Sequence, residues 1–271
     1  MRTKKIFFAV LVLIIGVAPA VEAEDTLIFS TAPTHSAKKT LEIYGPLVEY
    51  LSLVTGKKVE IKTATTFVDY NNNLQKNNYQ ILFDGPHFVG WRMDKFGHVP
   101  VARLPGYIRI VVVVKKDSKI TTMDQLSGQR VCSFPSPNML TMAFFEHYTN
   151  PIRQPVPVPA KGFKGLEKCL QRKDVVAAVL RDKMWAKMKN KDQFKILFAS
   201  KNTYPERTFS VSPGIDPDTR KKITYALLSA EGQPYLNDLL TTFKRDRLVP
   251  ARPDEYQDLG QLLAPVWGFY N

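Results

Sequence analysis

Two cysteines, four histidines and a few acidic residues at strand ends are the groups in this chain whose chemistry could go beyond packing. Cys132 and Cys169 are the only thiols. In an oxidising compartment an even pair reads as one disulfide, and two reduced, buried thiols are the other reading. Neither cysteine has a histidine at ligand spacing, and His35, His87, His98 and His147 form no metal-like pattern, so no metal or cofactor is expected. Asp84 and Asp182 are lone acids at strand ends, where a carboxylate usually caps a helix or faces water. There is no Gly-x-Ser-x-Gly elbow, no His-Glu-x-x-His helix and no phosphate-cradling Gly-x-x-x-x-Gly-Lys loop. These residues carry no recognisable catalytic constellation, and an enzyme is not expected.

The start of the chain says where the protein would act. Arg2, Lys4 and Lys5 precede an apolar run from Ile6 to Val17, and Val21-Glu22-Ala23 offers small residues at the spacing of a cleavage site. A secretory leader over residues 1–23 is expected, cut after Ala23 or, at the competing Ala18-Pro19-Ala20, after Ala20. The run is shorter than the roughly 20 residues of a membrane span. An exported, periplasmic protein follows. The total charge of +13 is spread over pairs such as Lys38-Lys39, Lys57-Lys58, Lys115-Lys116 and Lys221-Lys222, not gathered into a stripe. Export and scatter argue against nucleic acid and for a solvated surface.

Strand and helix patterns alternate through most of the chain, the mark of an α/β architecture. Leu27-Ile28-Phe29 reads as a strand, and Leu41, Tyr44, Leu47, Val48, Leu51 and Val54 recur at helical spacing before the stop at Gly56. Ile81-Leu82-Phe83 is a strand closed by Asp84-Gly85-Pro86, with a helix beginning near His87. Ile108 to Val114 is a nearly continuous apolar run, broken only by Arg109, of the kind buried parallel strands show. From Val111 through Gly128 to Val131, a strand, a turn, a short helical piece and a second strand form a crossover. A helix from Met139 to Tyr148 and a helical tail, including Asp254 to Leu263, complete the pattern.

Several of these stretches share one order and spacing. They are Tyr44-Gly45-Pro46-Leu47-Val48-Glu49-Tyr50-Leu51 with Thr55-Gly56, then Val59, Ala64-Thr65 and Asp84-Gly85-Pro86, then Asp117-Ser118, Asp124, Leu126 and Gly128. Together they resemble the periplasmic solute-binding proteins of the phosphate, phosphite and phosphonate type, components of ATP-driven importers. The resemblance runs from about Leu27 to Leu180. It implies an α/β, two-lobed (type II) clamp with a central cleft: lobe one from residues 24–108 and 206–271, lobe two from residues 109–205, and hinge crossings near Tyr107-Ile108 and Pro205-Glu206. It also implies a small-molecule ligand, and an ABC permease as partner or, in a sensing version, a membrane histidine kinase. A monomer is expected.

The resemblance places the ligand among helix starts, where N–H and O–H donors hold an oxyanion. Where relatives carry a hydroxyl-rich Ser/Thr-Ser-Gly run, this chain has Ser136-Pro137-Asn138-Met139. Pro137 has no N–H, and only Ser136 and Asn138 offer side-chain hydrogen bonds. Phe67 stands where an aromatic hydroxyl is usual, Phe88 follows the Gly-Pro turn, and Phe163 lies near a histidine position of relatives. Arg181 ends a strand where relatives carry an acid for the ligand's amine. The expected ligand-binding set is Thr65, Thr66, Phe67, His87, Phe88, Ser136, Asn138, Phe163 and Arg181, with Lys161 close by. A phosphate- or phosphonate-like oxyanion is the first expectation. A larger, partly apolar solute, lipid- or sterol-like, in an aromatic cleft is the alternative.

Overall fold

The first half of the chain alternates as its pattern requires. In the computed structural model, which describes residues 26–269, it forms β1 (Leu27–Thr31), α1 (Ala37–Thr55), β2 (Val59–Ile61), α2 (Phe67–Gln75), β3 (Ile81–Asp84), α3 (Pro86–Phe96), β4 (Val99–Arg103) and β5 (Tyr107–Ile108). The expected leader, residues 1–23, lies outside the described residues. The chain then adds β6 (Ile110–Lys115), β7 (Arg130–Ser133), α4 (Met139–Phe145), β8 (Val156–Pro159), α5 (Gly162–Leu170), β9 (Ala177–Arg181), α6 (Asp182–Ala186) and β10 (Phe194–Ala199). It returns through β11 (Tyr204–Pro205), β12 (Thr208–Val211), α7 (Pro217–Leu228), α8 (Asn237–Phe243) and β13 (Val249–Pro250).

These strands make two lobes. One sheet has the order β13-β4-β12-β3-β1-β2, the other β10-β6-β9-β7-β8, and β5 pairs with β11 in a two-stranded ribbon where the chain passes between them. In the first lobe α1 lays Ile43, Tyr44, Leu47 and Leu51 onto Phe29, Phe83 and Phe209 of the sheet. Its ends are set locally: the Ser36 side chain accepts from the Lys39 N–H, and Gly56 adopts φ 72° at the C-terminus, a conformation cheap for glycine.

The second lobe corrects one expectation. The apolar run of β6 is not a parallel strand. It pairs antiparallel with both β10 and β9, while β7 is parallel to β9 and to β8. The stretch from Val111 to Val131 therefore skips over β9 and reverses direction. The run is continuous because both faces of β6 are covered: Val112 and Val114 pack with Met139, Leu140 and Phe144, while Val111 and Val113 pack with Leu166, Leu170 and the disulfide. Two-sided burial, not strand direction, sets that pattern. The disulfide joins Cys132 on β7 to Cys169 on α5, with Cα atoms 6.0 Å apart, as an even pair in an α/β unit suggests.

Two helices end differently from their expected spans. α4 stops at Phe145 rather than Tyr148, and the stretch from Asp254 to Leu263 forms two short 3-10 turns, Pro253–Tyr256 and Leu259–Leu263, separated at Asp258 with φ 60°. The tail breaks because it must fit against α3. A Cβ on Gly90 would lie 2.7 Å from the Tyr256 carbonyl oxygen and 2.8 Å from the Gly260 nitrogen, and a Cβ on Gly260 would lie 2.8 Å from the Trp91 backbone. The same tail touches both lobes: Leu262 joins the second-lobe core and Leu263 packs with Trp91 and Phe88 of the first. Gly90→Ala, forcing backbone apart, is expected to lower unfolding free energy by about 1–3 kcal/mol. Urea denaturation checks it, and an unchanged midpoint would show that the tail is not clamped there. Among the described residues no helix is long and apolar enough to cross a membrane.

Candidate functional site

The strand ends and helix starts of the two lobes meet around a cavity of about 260 Å³. On the first-lobe side β3 delivers the turn Asp84-Gly85-Pro86, and Pro86 starts α3, where a missing N–H is no loss. His87 and Phe88 follow on that first turn and line the cavity, with Phe67 from the start of α2. From the second lobe come Phe134, Asn138, Met139 and, at the end of β9, Arg181. Thr34, Glu206, Arg207 and Phe243 complete the wall near the ribbon.

Below the first-lobe wall lies a buried ionic network. Arg92 on α3 grips Asp84 with two hydrogen bonds of 2.8 Å and reaches Ser210 at 2.9 Å, while the Tyr70 hydroxyl donates to the same carboxylate. Arg92 and Asp84 are 1% and 0% exposed. Burial, with the Asp84 charge adding, pushes the Tyr70 hydroxyl well above its usual range, so it remains a donor. The pair ties α3 to the strand whose end carries the Gly85-Pro86 turn.

Two contacts cross the cleft. His87 Nε2 lies 2.8 Å from the Pro137 carbonyl oxygen, which can only accept, so Nε2 carries the proton and Nδ1 is left buried without a partner. Burial holds this ring down to about 4, although the Pro137 bond and the Asp84 charge pull upward; Arg207 and Arg92 add to the depression. The second crossing is a clamp on the carboxylate of Glu206, whose Oε1 accepts from Arg181 at 2.5 Å and from Arg245 at 2.8 Å.

Arg207 stands apart. Its Nη2 donates to Thr34 Oγ1 at 3.3 Å and its guanidinium lies 5.3 Å from the centre of the Phe243 ring. Its Nη1 is buried with no hydrogen-bond partner, and among the described residues no carboxylate forms an ion pair with it. A buried N–H left unmade costs about 1–3 kcal/mol, so such a group invites a ligand acceptor.

Of the residues singled out in the sequence, Phe67, His87, Phe88, Asn138 and Arg181 line the cavity, while Thr65, Thr66, Ser136 and Phe163 do not. Local bonding explains most of the difference. Thr65 donates to Asp69 at 2.7 Å, and Thr66 caps α2 by accepting from the Asp69 N–H. Ser136 is exposed beside Met142, and Phe163 packs onto the second-lobe core. Asn138 spends its side-chain oxygen capping α4 at Leu140. Lys161 is an exposed residue preceding α5. Asp84, considered a lone acid, is paired with Arg92. Arg207, Thr34 and Phe243 were not singled out. The one usable signal was position, since Arg207 directly follows the Pro205-Glu206 crossing.

The neutral His87 has a measurable consequence. Its ring charges near 6.5 in the unfolded chain but only near 4 when folded, so between these values the unfolded state binds the extra proton. Stability is expected to be full above pH 6.5 and to decline as pH falls toward 4. The His87→Gln variant should show a shallower decline in urea denaturation series run at pH 7, 5.5 and 4.5. An identical slope in the variant would remove His87 from this role.

The fold has counterparts among solved structures. A protein from Xanthomonas citri, XAC2383 bound to ATP, superposes with a TM-score of 0.71 at 15% identity, covering 91% of this chain and 99% of that one. PhnD1 from Prochlorococcus marinus in complex with methylphosphonate gives 0.64 at 11% identity, over 89% and 98% of the two chains. A binding protein component of an ABC phosphonate transporter from Pseudomonas aeruginosa gives 0.58 at 16% identity, over 88% and 85%. At these identities the likeness is one of fold. No curated protein matches the sequence. The sequence itself matches the family model described as ABC transporter, phosphonate, periplasmic substrate-binding protein over residues 29–256, nearly the whole described chain. With its two lobes and the cavity between them, the chain belongs to the periplasmic substrate-binding proteins of ABC phosphonate transporters.

Proposed function

We propose that this protein captures a small oxyanion of the phosphate or phosphonate kind between its lobes and delivers it to an ABC permease. Lobe one would comprise residues 24–108 and 206–271, and lobe two residues 109–205. The observation that carries this reading is Arg207, a cation lining the cavity with a buried N–H and, among the described residues, no carboxylate paired with it, since Glu206 beside it is held by Arg181 and Arg245. The start of the 11-residue helix α3 lines the same cavity and adds the positive end of its dipole. Closure follows from contact: a solute touching both lobes stabilises only the arrangement in which they meet. His87 with Pro137 and Arg181 with Glu206 already supply bonds on that meeting surface.

The volume speaks against a lipid- or sterol-like solute. About 260 Å³ falls below the range of roughly 300–1,000 Å³ typical of sites for drug-sized molecules. Isothermal titration of the purified protein with inorganic phosphate, methylphosphonate and sulfate tests the proposal. Saturable 1:1 binding of phosphate or methylphosphonate is expected. Failure of every oxyanion to bind would overturn it.

A further inference from the structure

We infer that the solute is a phosphonate or phosphate monoester whose organic part is compact and apolar, best an aromatic ring, and carries no ammonium group. This rests on the oxyanion reading above and concerns the rest of the same molecule.

The charge at the cavity excludes an amine. Glu206 is the one carboxylate that lines it among the described residues, and its Oε1 is held by two guanidinium groups, Arg181 and Arg245. With Arg207 the lining has two cations, Arg181 and Arg207, against one anion, and Arg245 binds that anion from outside the lining. Asp84, which directly precedes the lining residue Gly85, is bound by Arg92. A solute ammonium would meet like charge and find its natural partner taken, and such juxtaposition is strongly penalised where water is excluded.

The remaining walls call for apolar surface. Phe67 and Phe88 stack with nearly parallel rings, 7° apart in plane with centres 6.4 Å apart, and Tyr70 meets Phe88 in a T-shaped pair at 5.7 Å. Phe134 and Met184 line the cavity from the other lobe. Phe88 is 2% exposed and belongs to the first-lobe core, but Phe67, Phe134 and Met184 are only half-buried, and a bare oxyanion seated at Arg207 leaves their remaining apolar area uncovered. A ring attached to the oxyanion removes apolar area on both sides from water, and flat rings match the aromatic faces available to them. The volume of about 260 Å³ limits that body to about one ring or a short alkyl chain.

Titration of the purified protein with phenylphosphonate, methylphosphonate, ethylphosphonate, 2-aminoethylphosphonate and benzyl alcohol decides the matter. Phenylphosphonate should bind at least about tenfold more tightly than methylphosphonate, the gain expected from burying one ring. 2-Aminoethylphosphonate should bind at least about tenfold more weakly than ethylphosphonate. In Phe67→Ala, and in the milder Phe134→Leu, the phenyl-over-methyl ratio should shrink. Equal affinities for phenyl and methyl, or for aminoethyl and ethyl, overturn the inference while leaving the oxyanion reading in place. So does a ratio that survives both substitutions. No binding of any phosphonate, whether or not benzyl alcohol binds, overturns this inference; the oxyanion reading falls with it when inorganic phosphate also fails to bind.

Discussion

Replacing Arg207 with methionine is expected to weaken methylphosphonate binding at least a hundredfold while leaving the fold as stable as before, or more so. The two halves of that result have separate causes. Removing one member of a buried, hydrogen-bonded charge pair costs a complex about 2–5 kcal/mol, and a hundredfold corresponds to about 2.7 kcal/mol. In the unliganded fold, however, Arg207 Nη1 is a buried donor without an acceptor, a liability of about 1–3 kcal/mol that methionine removes. What methionine loses there is the Thr34 hydrogen bond and the contact with the Phe243 ring, of about the same size together. Arg207→Lys keeps a charge but loses the planar fork, so it should fall between the two. Calorimetry and urea denaturation on the same preparations read both effects. A variant that binds normally, or one whose affinity falls only because it unfolds, would show that Arg207 is a structural residue.

The opposite balance is expected one layer deeper. Asp84→Asn should destabilise the protein by about 3–5 kcal/mol, because it leaves the Arg92 guanidinium buried with its anion gone. Asparagine can accept one of the two 2.8 Å bonds but cannot balance the charge, and Tyr70 loses a charged acceptor. The reciprocal test is the double variant Asp84→Leu with Arg92→Met. Replacing both members of a buried pair by apolar groups is often neutral or better, but here Tyr70 and Ser210 are left with unmade hydrogen bonds. The double variant is therefore expected to regain about half of the loss. Equilibrium unfolding in urea measures all three proteins. A cost below about 1 kcal/mol for Asp84→Asn would mean that the pair is not buried and dry in solution.

Together these expectations divide the cleft into a frame and a contact surface. The frame is the Asp84–Arg92 pair, the α3–tail packing at Gly90 and the disulfide, and its residues should move stability. The contact surface is Arg207, His87 and the aromatic walls, and its residues should move affinity. A strained or unsatisfied group is tolerated in the second class because a ligand can satisfy it, and stability and binding then trade against each other.

How much of this was legible in the chain depends on how local each cause is. Alternating strand and helix patterns predicted the α/β class because periodicity reports on which faces are buried. The disulfide was legible because two cysteines in an exported chain leave one pairing. The direction of β6 was not, since a strand covered on both faces reads the same whether its neighbours run with it or against it. The ligand set shows the same divide. Thr65, Thr66 and Ser136 are hydroxyl residues near helix starts, where capping and ligand binding demand the same chemistry, and two of the three are used up within their own turn.

The sequence alone determined a two-lobed α/β protein of the phosphonate-binding kind, its one disulfide, and a cleft richer in aromatic rings than in hydroxyls. Only the tertiary structure decided which charge stands unpaired in that cleft. Arg181, Arg207 and Arg245 are equivalent cations in one dimension, and Glu206 could neutralise any of them. Folding brings Arg181 from the second lobe and Arg245 from the end of α8 onto that single carboxylate, and leaves Arg207 with Thr34, Phe243 and the cavity. Ion pairing depends on a few ångströms between residues 25 and 39 positions apart in the chain, and no local pattern encodes that distance.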